Sequence, residues 1–103
     1  MVKEYDLFVP VNYNDGTPVE AEKLEHIQSL LLDEFHGLTY FAQRNEGYWK
    51  MGDVTYRDEI VIFRVITERG QAAREFLERL KNELKNDLEQ EEILIVERDV
   101  DTL

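Results

Sequence analysis

The sequence predicts an α+β sandwich of ferredoxin-like topology, with a four-stranded antiparallel sheet and two helices on one of its faces. Three observations predict it. The hydrophobic period switches between two and 3.6 along the chain in the order β-α-β-β-α-β. Each half is a strand–helix–strand unit, and two such units with right-handed crossovers interleave in one sheet. The length of 103 residues suits a single domain spanning 1–103, and a hydrophobic content of 43% is enough for its core.

The first strand is "EYDLFVPV", which alternates Tyr5, Leu7, Val9 and Val11 against Asp6, Phe8 and Pro10. Pro10 has no N–H to donate and belongs near a strand end or edge. A turn at Asp15-Gly16 follows. "TPVE" then reads as a capping box, with Thr17 as N-cap, Pro18 at the first helical position and Glu20 at the third. Leu24, Ile27, Leu31 and Phe35 continue at helical spacing, so the first helix is expected over about residues 18–36, with Gly37 closing it in a left-handed conformation.

"LTYFAQR" reads as the second strand and "EIVIFRVI" as the third, with β-branched residues on both faces of the latter. Between them lies "GYWKMGDVTYRDE", residues 47–59. Asn45-Glu46-Gly47 is a turn signal. Tyr48 to Met51 can extend the second strand, which makes Gly52-Asp53 the turn proper and Val54 to Tyr56 the start of the third strand. The second helix carries a stripe of Ala73, Phe76, Leu77, Leu80, Leu84 and Leu88, with an expected Glu75–Arg79 pair on its outer face. "EILIVER" is the last strand.

Composition removes several function classes. The absence of cysteine excludes disulfides, thiolate zinc sites and cysteine catalysis together. A net charge of −11 repels phosphate backbones and anionic lipid, so neither nucleic acid nor membrane is expected as a partner. No apolar run reaches the roughly 18 residues of a membrane span, and the N-terminal residues do not read as a signal peptide, so a cytoplasmic protein is expected. No phosphate-binding loop, nucleophile elbow or His-Glu-x-x-His pattern is present, and no cofactor or metal is expected. His26, four residues after Glu22, has ligand-like spacing, but one pair falls short of the usual four zinc ligands. His36 suits the negative end of the first helix.

The face of the sheet away from the helices should be polar if it meets water. It is not. Ile60, Ile62 and Ile66 oppose Val61, Phe63 and Val65 on the third strand, Leu94 and Val96 oppose Ile93 and Ile95 on the fourth, and Phe8 opposes Leu7 and Val9 on the first. Such a patch marks an interface or a ligand groove. The expectation is a homodimer formed through this open sheet face. The competing expectation is that the hairpin or the C-terminal tail folds over it.

Candidate site residues cluster at the hairpin. Tyr48, Trp49 and Tyr56 can line a ligand site, with Asp53, Asp58 and Glu59 as polar anchors and Arg64 as a further ligand-binding residue. The simpler reading is that aromatic residues paired across a hairpin stabilise it without any ligand. Asp58 and Glu59 are adjacent in a strand and therefore point to opposite faces, so they cannot form a carboxylate dyad. Arg57 shares the parity of Glu59 and can hold it ionised.

"FHGLTYFAQRNEGYWK", "YRDEIVIFRV" and "EQEEILIVE" together resemble a group of small bacterial domains of unknown function. In these a Gly-Leu-Thr after the first helix precedes Gly-x-Trp and an acidic residue opening an apolar strand. Here those are Gly37, Leu38, Thr39, Gly47, Trp49 and Glu59, and the resemblance spans about residues 35–96. It implies the same fold and brings no activity with it. Two functional readings follow. The first is a self-associating binding module for a small ligand or a protein partner. The alternative is a small dimeric α/β-barrel-type enzyme, with Glu59 or Asp58 as acid/base and Tyr56 or Arg64 orienting the substrate.

Overall fold

The computed structural model describes residues 1–103 and has the expected element order: β1 (Lys3–Pro10), α1 (Ala21–Phe35), β2 (Thr39–Met51), β3 (Val54–Thr67), α2 (Gln71–Asp87) and β4 (Leu94–Asp99). The four strands form one sheet in the order β2-β3-β1-β4, antiparallel throughout. This is the ferredoxin-like arrangement. β1 lies between β3 and β4, because each strand–helix–strand unit leaves a gap that the other fills. No helix is long and apolar enough to cross a membrane.

The core is the set of side chains that strand parity and helical spacing point inward. Tyr5, Leu7, Val9 and Val11 of β1 meet Val61, Phe63 and Val65 of β3, and Ile27, Leu31, Leu77, Leu80 and Leu84 close over them from the helices. Phe63 is 0% exposed, and the ring of Tyr40 stacks on it at 4.6 Å between centroids. Phe76 and Phe35 meet edge to face at 5.6 Å and seal the space between the two helices.

Four local expectations are corrected. The capping box at Thr17 does not form, and α1 begins at Ala21 behind Glu20, which makes no side-chain cap. The cause is a competing set of backbone bonds. Val19 N–H donates to the Val11 carbonyl at 2.8 Å and Tyr13 N–H to the Thr17 carbonyl at 2.8 Å, with Asn12 opposite Pro18. This small ladder holds Thr17 and Pro18 extended and lets Val19 bury its side chain. The Glu20 carboxylate turns instead to the Tyr13 hydroxyl, which donates to it at 2.7 Å.

At the other end of α1 the left-handed residue is His36, with φ 65, rather than Gly37. Its own N–H still donates to the Leu32 carbonyl at 2.8 Å, the last bond of the helical ladder, and its left-handed backbone then turns the chain out of the helix one residue early. Asn45-Glu46-Gly47 is not a turn. β2 runs straight through it, and the turn signal marks instead a bulge between Phe41 and Asn45, inside which Asn45 Nδ2 donates to the Gln43 carbonyl at 3.0 Å. On α2 the i,i+4 pair is Arg74–Glu78 at 3.3 Å, not Glu75–Arg79.

The bulge matters for function because it preserves parity. Phe41 pairs with Ile62 and Asn45 with Ile60, so β2 re-enters register with the same side outward. β1 pairs with β3 only as far as Pro10–Ile60. Beyond that point β2 and β3 continue alone as a two-stranded arm, Glu46–Met51 against Val54–Glu59. Gly52-Asp53 turns its tip as expected, and Gly52 takes φ 61, the first position of a type II′ hairpin turn.

Candidate functional site: the open sheet face and its arm

With both helices on one side, the other face of the sheet is left open. Phe8 pairs with Ile62 on β3 and with Leu94 on β4, and Phe41 pairs with Ile62 from the far side. These four side chains form an apolar row across all four strands. Leu94 is 56% exposed and Phe41 39%. Neither the hairpin nor the C-terminal tail covers them within one chain. The arm extends beyond the end of the sheet, and the tail leaves it after Val100 N–H donates to the Val2 carbonyl.

One end of the face holds an ionic cluster. Asp6 is only 3% exposed although it stands on the open side, because two guanidiniums cover it. Arg64 Nε donates to Asp6 Oδ1 at 2.8 Å and Arg64 Nη2 to Oδ2 at 3.0 Å, a two-point contact. Arg98 Nη1 donates to Asp6 Oδ2 and to Glu4 Oε2, both at 3.0 Å. The hydrogen bond from Arg64 holds the Asp6 carboxyl below the usual carboxylate range, burial opposes it, and the Arg98 bond lowers it further. The Arg64 guanidinium also lies 5.0 Å from the centre of the Phe41 ring.

At the other end the face runs onto the arm. Trp49 and Tyr56 are cross-strand partners on the open side, and their rings stack at 5.4 Å with 15° between planes. Asp58 stands next along β3, opposite Gly47. It is half-buried and makes no ion pair or side-chain hydrogen bond, and burial pushes its carboxyl above the usual range. Glu59, on the opposite face as its parity requires, lies within 3.6 Å of both Arg57 and Arg44.

The residues singled out from the sequence are thus divided. Trp49, Tyr56 and Asp58 come together on the open side of the arm. Tyr48 lies on the other side, where its hydroxyl donates to Glu46 at 2.8 Å and Arg57 donates to the same carboxylate at 2.7 Å. Arg64 shares the open face but sits at its far end, engaged by Asp6. Sequence reasoning missed the partners Glu4, Asp6 and Arg98. The available signal was that Asp6 and Arg64 both interrupt apolar faces of strands that become neighbours in this topology. His26 is exposed on α1.

Two clefts lie elsewhere. One, of about 540 Å³, lies where the β1–α1 loop meets the end of α2 and is lined by polar groups including Tyr13, Glu20, Lys23 and Glu89. Its one cation is engaged, since Lys23 Nζ donates to the Tyr13 hydroxyl at 2.7 Å and to the Asp87 carbonyl at 2.8 Å. A smaller cleft of about 190 Å³ between α2 and β4 holds Tyr5. The Tyr5 phenol is pushed up to about 12 by burial and by the hydrogen bond it donates to Glu97 at 2.7 Å.

No protein-family model and no curated protein matches the chain. Among solved structures, a phage SAM lyase in complex with S-methyl-5′-thioadenosine is similar, with a TM-score of 0.68. The match covers 95% of this chain and 81% of that one at 17% identity, and at that identity it is a likeness of fold.

Proposed function

We propose that this protein is a self-associating binding module, a cytoplasmic homodimer joined through its open sheet face, which takes a small ligand or a protein partner there. One observation carries the reading: an apolar row of Phe41, Ile62, Phe8 and Leu94 crosses all four strands on the face away from the helices, and its two ends stay exposed. Monomers keep such patches small, and a larger one is ordinarily an interface. Static light scattering at micromolar concentration should give twice the chain mass of 12.3 kDa. Leu94→Glu should return the monomer while leaving the far-ultraviolet circular dichroism unchanged, because Leu94 contributes nothing to the core. A wild-type mass equal to one chain at every concentration would remove the reading.

A second reading, acid/base chemistry at the base of the arm, is favoured by Asp58. An acid/base group needs an ionisation point moved toward working pH, and Asp58 is the carboxyl on this face that burial raises without a partner to reverse it. Glu59, within reach of two arginines, is the weaker of the two candidates. Tyr56, one residue pair away on the same face, is placed to orient a bound group.

Because ionised Asp58 is disfavoured in the folded chain, it subtracts stability above its native ionisation point, and the penalty vanishes below the unfolded value of roughly 3.9. Asp58→Asn should therefore raise the urea midpoint at pH 7 and leave it unchanged near pH 3. Loss of stability at pH 7 would show that Asp58 is held by a favourable contact, and the enzyme reading would fall with it. The neighbour of this fold binds S-methyl-5′-thioadenosine, so nucleoside thioethers are the first ligands to titrate by calorimetry.

A further inference from the structure

We infer that the β2–β3 arm is a clasp: in the homodimer the Trp49–Tyr56 side of the arm of one copy lies on the second copy, extending the contact made by the open sheet faces. The inference rests on the self-association reading and says which segment completes the interface.

Area is the first argument. The sheet part of the face is four strands wide and eight residues long along β1. At about 4.8 Å per strand and about 3.4 Å per residue it covers roughly 500 Å². A stable interface needs about 800 Å² per partner. The arm adds two strands over six residue pairs, roughly 200 Å² more by the same spacings. Relief from side chains adds further to these flat footprints. By the same flat measure the arm enlarges the face by about two-fifths, toward the area that a standard interface buries.

Charge is the second. The chain carries −11. The strand residues facing the open side include three acids, Glu4, Asp6 and Asp58, and two bases, Arg64 and Arg98, for a net of −1. The remaining −10 lies elsewhere, chiefly on the helices and loops. A cationic partner would be drawn to those surfaces and a polyanion would be repelled by them. A second copy fits the near-neutral face and turns both acidic surfaces outward.

The arm itself supplies the third. Its open side presents Trp49, Met51, Val54 and Tyr56 toward the tip, all four exposed, with Asp58 its one charged group, at the base. Its other side carries Glu46, Lys50 and Arg57, with Tyr48 bonded through its hydroxyl to Glu46. A two-stranded ribbon with both edges free is marginal alone and needs a surface to lie on. The uncharged stretch at the tip is continuous with the sheet face, which places that surface on the same side as the partner.

Trp49 is the chain's only tryptophan, so its fluorescence reports the arm. In a dilution series on the full chain, its emission should move to the red with the same midpoint as the loss of dimer mass by light scattering. Tyr56→Lys, at an exposed position that leaves the tryptophan in place, should weaken dimerisation at least tenfold. Leu94→Glu is the control that removes the sheet contact whether or not the arm clasps. A dimer that dissociates with Trp49 emission unchanged, or a Tyr56→Lys dissociation constant within twofold of wild type, would overturn the clasp and leave the binding-module reading standing. A wild-type chain monomeric throughout would overturn both.

Discussion

Phe63→Ala is expected to cost about 3–5 kcal/mol, the range for truncating a fully buried phenylalanine. Phe63 lies on β3, flanked by β1 and β2, with Leu7 opposite it on one side and Tyr40 on the other. Its ring is wholly buried and stacks on Tyr40 with 15° between planes, so removal loses both the buried area and the aromatic contact. Collapse into the void is hindered, because its neighbours belong to three strands and cannot all shift. Against a domain stability of roughly 5–15 kcal/mol, the variant should retain only part of its folding free energy. Equilibrium urea denaturation measures it. A loss below about 1 kcal/mol would contradict the register between β1 and β3.

The second large effect is at Asp6. Asp6→Asn should destabilise by about 2 kcal/mol at pH 7. Breaking a fully buried ion pair costs about 3–5 kcal/mol, and the figure is reduced here because the guanidiniums covering Asp6 keep a solvent edge. The effect has a defined pH window. The native carboxyl is held below its ordinary value, so its contribution is fully present above the unfolded value of about 3.9 and is lost as pH falls through the lower native value. The stability difference between wild type and Asp6→Asn should therefore be constant from pH 7 to about pH 5 and shrink in acid below about pH 4. A difference that persists unchanged at pH 2 would mean that shape, rather than charge, decides the position.

The two predictions mark different kinds of legibility. Phe63 was readable because a strand's side-chain period is two, and Val61, Phe63 and Val65 keep one parity whatever their neighbours are. The same holds for the inward residues of β1 and for the stripe of α2. Element order makes the interleaved sheet the commonest solution without forcing the strand order, which the structure supplies. The opposition of Asp58 and Glu59 across the arm, the reach of Arg57 to Glu59 and the turn at Gly52-Asp53 follow from local geometry, and the structure agrees with each.

Where a residue had two local options, tertiary contacts chose. Thr17 and Pro18 make a good helix start by themselves, but the backbone bonds of Val19 to Val11 and of Tyr13 to Thr17 hold them extended. Asn45-Glu46-Gly47 is a turn signal in isolation, yet pairing with β3 on both sides of it leaves only a bulge. The ionic cluster required the sheet order itself. Asp6, Arg64 and Arg98 lie on three strands far apart in the chain, and only the pairing of β3 and β4 on either side of β1 brings them together. The sequence by itself determined which side chains share a face, because parity and helical spacing are local. The structure decided which faces meet, which carboxylate finds a guanidinium and which, like Asp58, does not, because those depend on register between strands that no local interaction specifies.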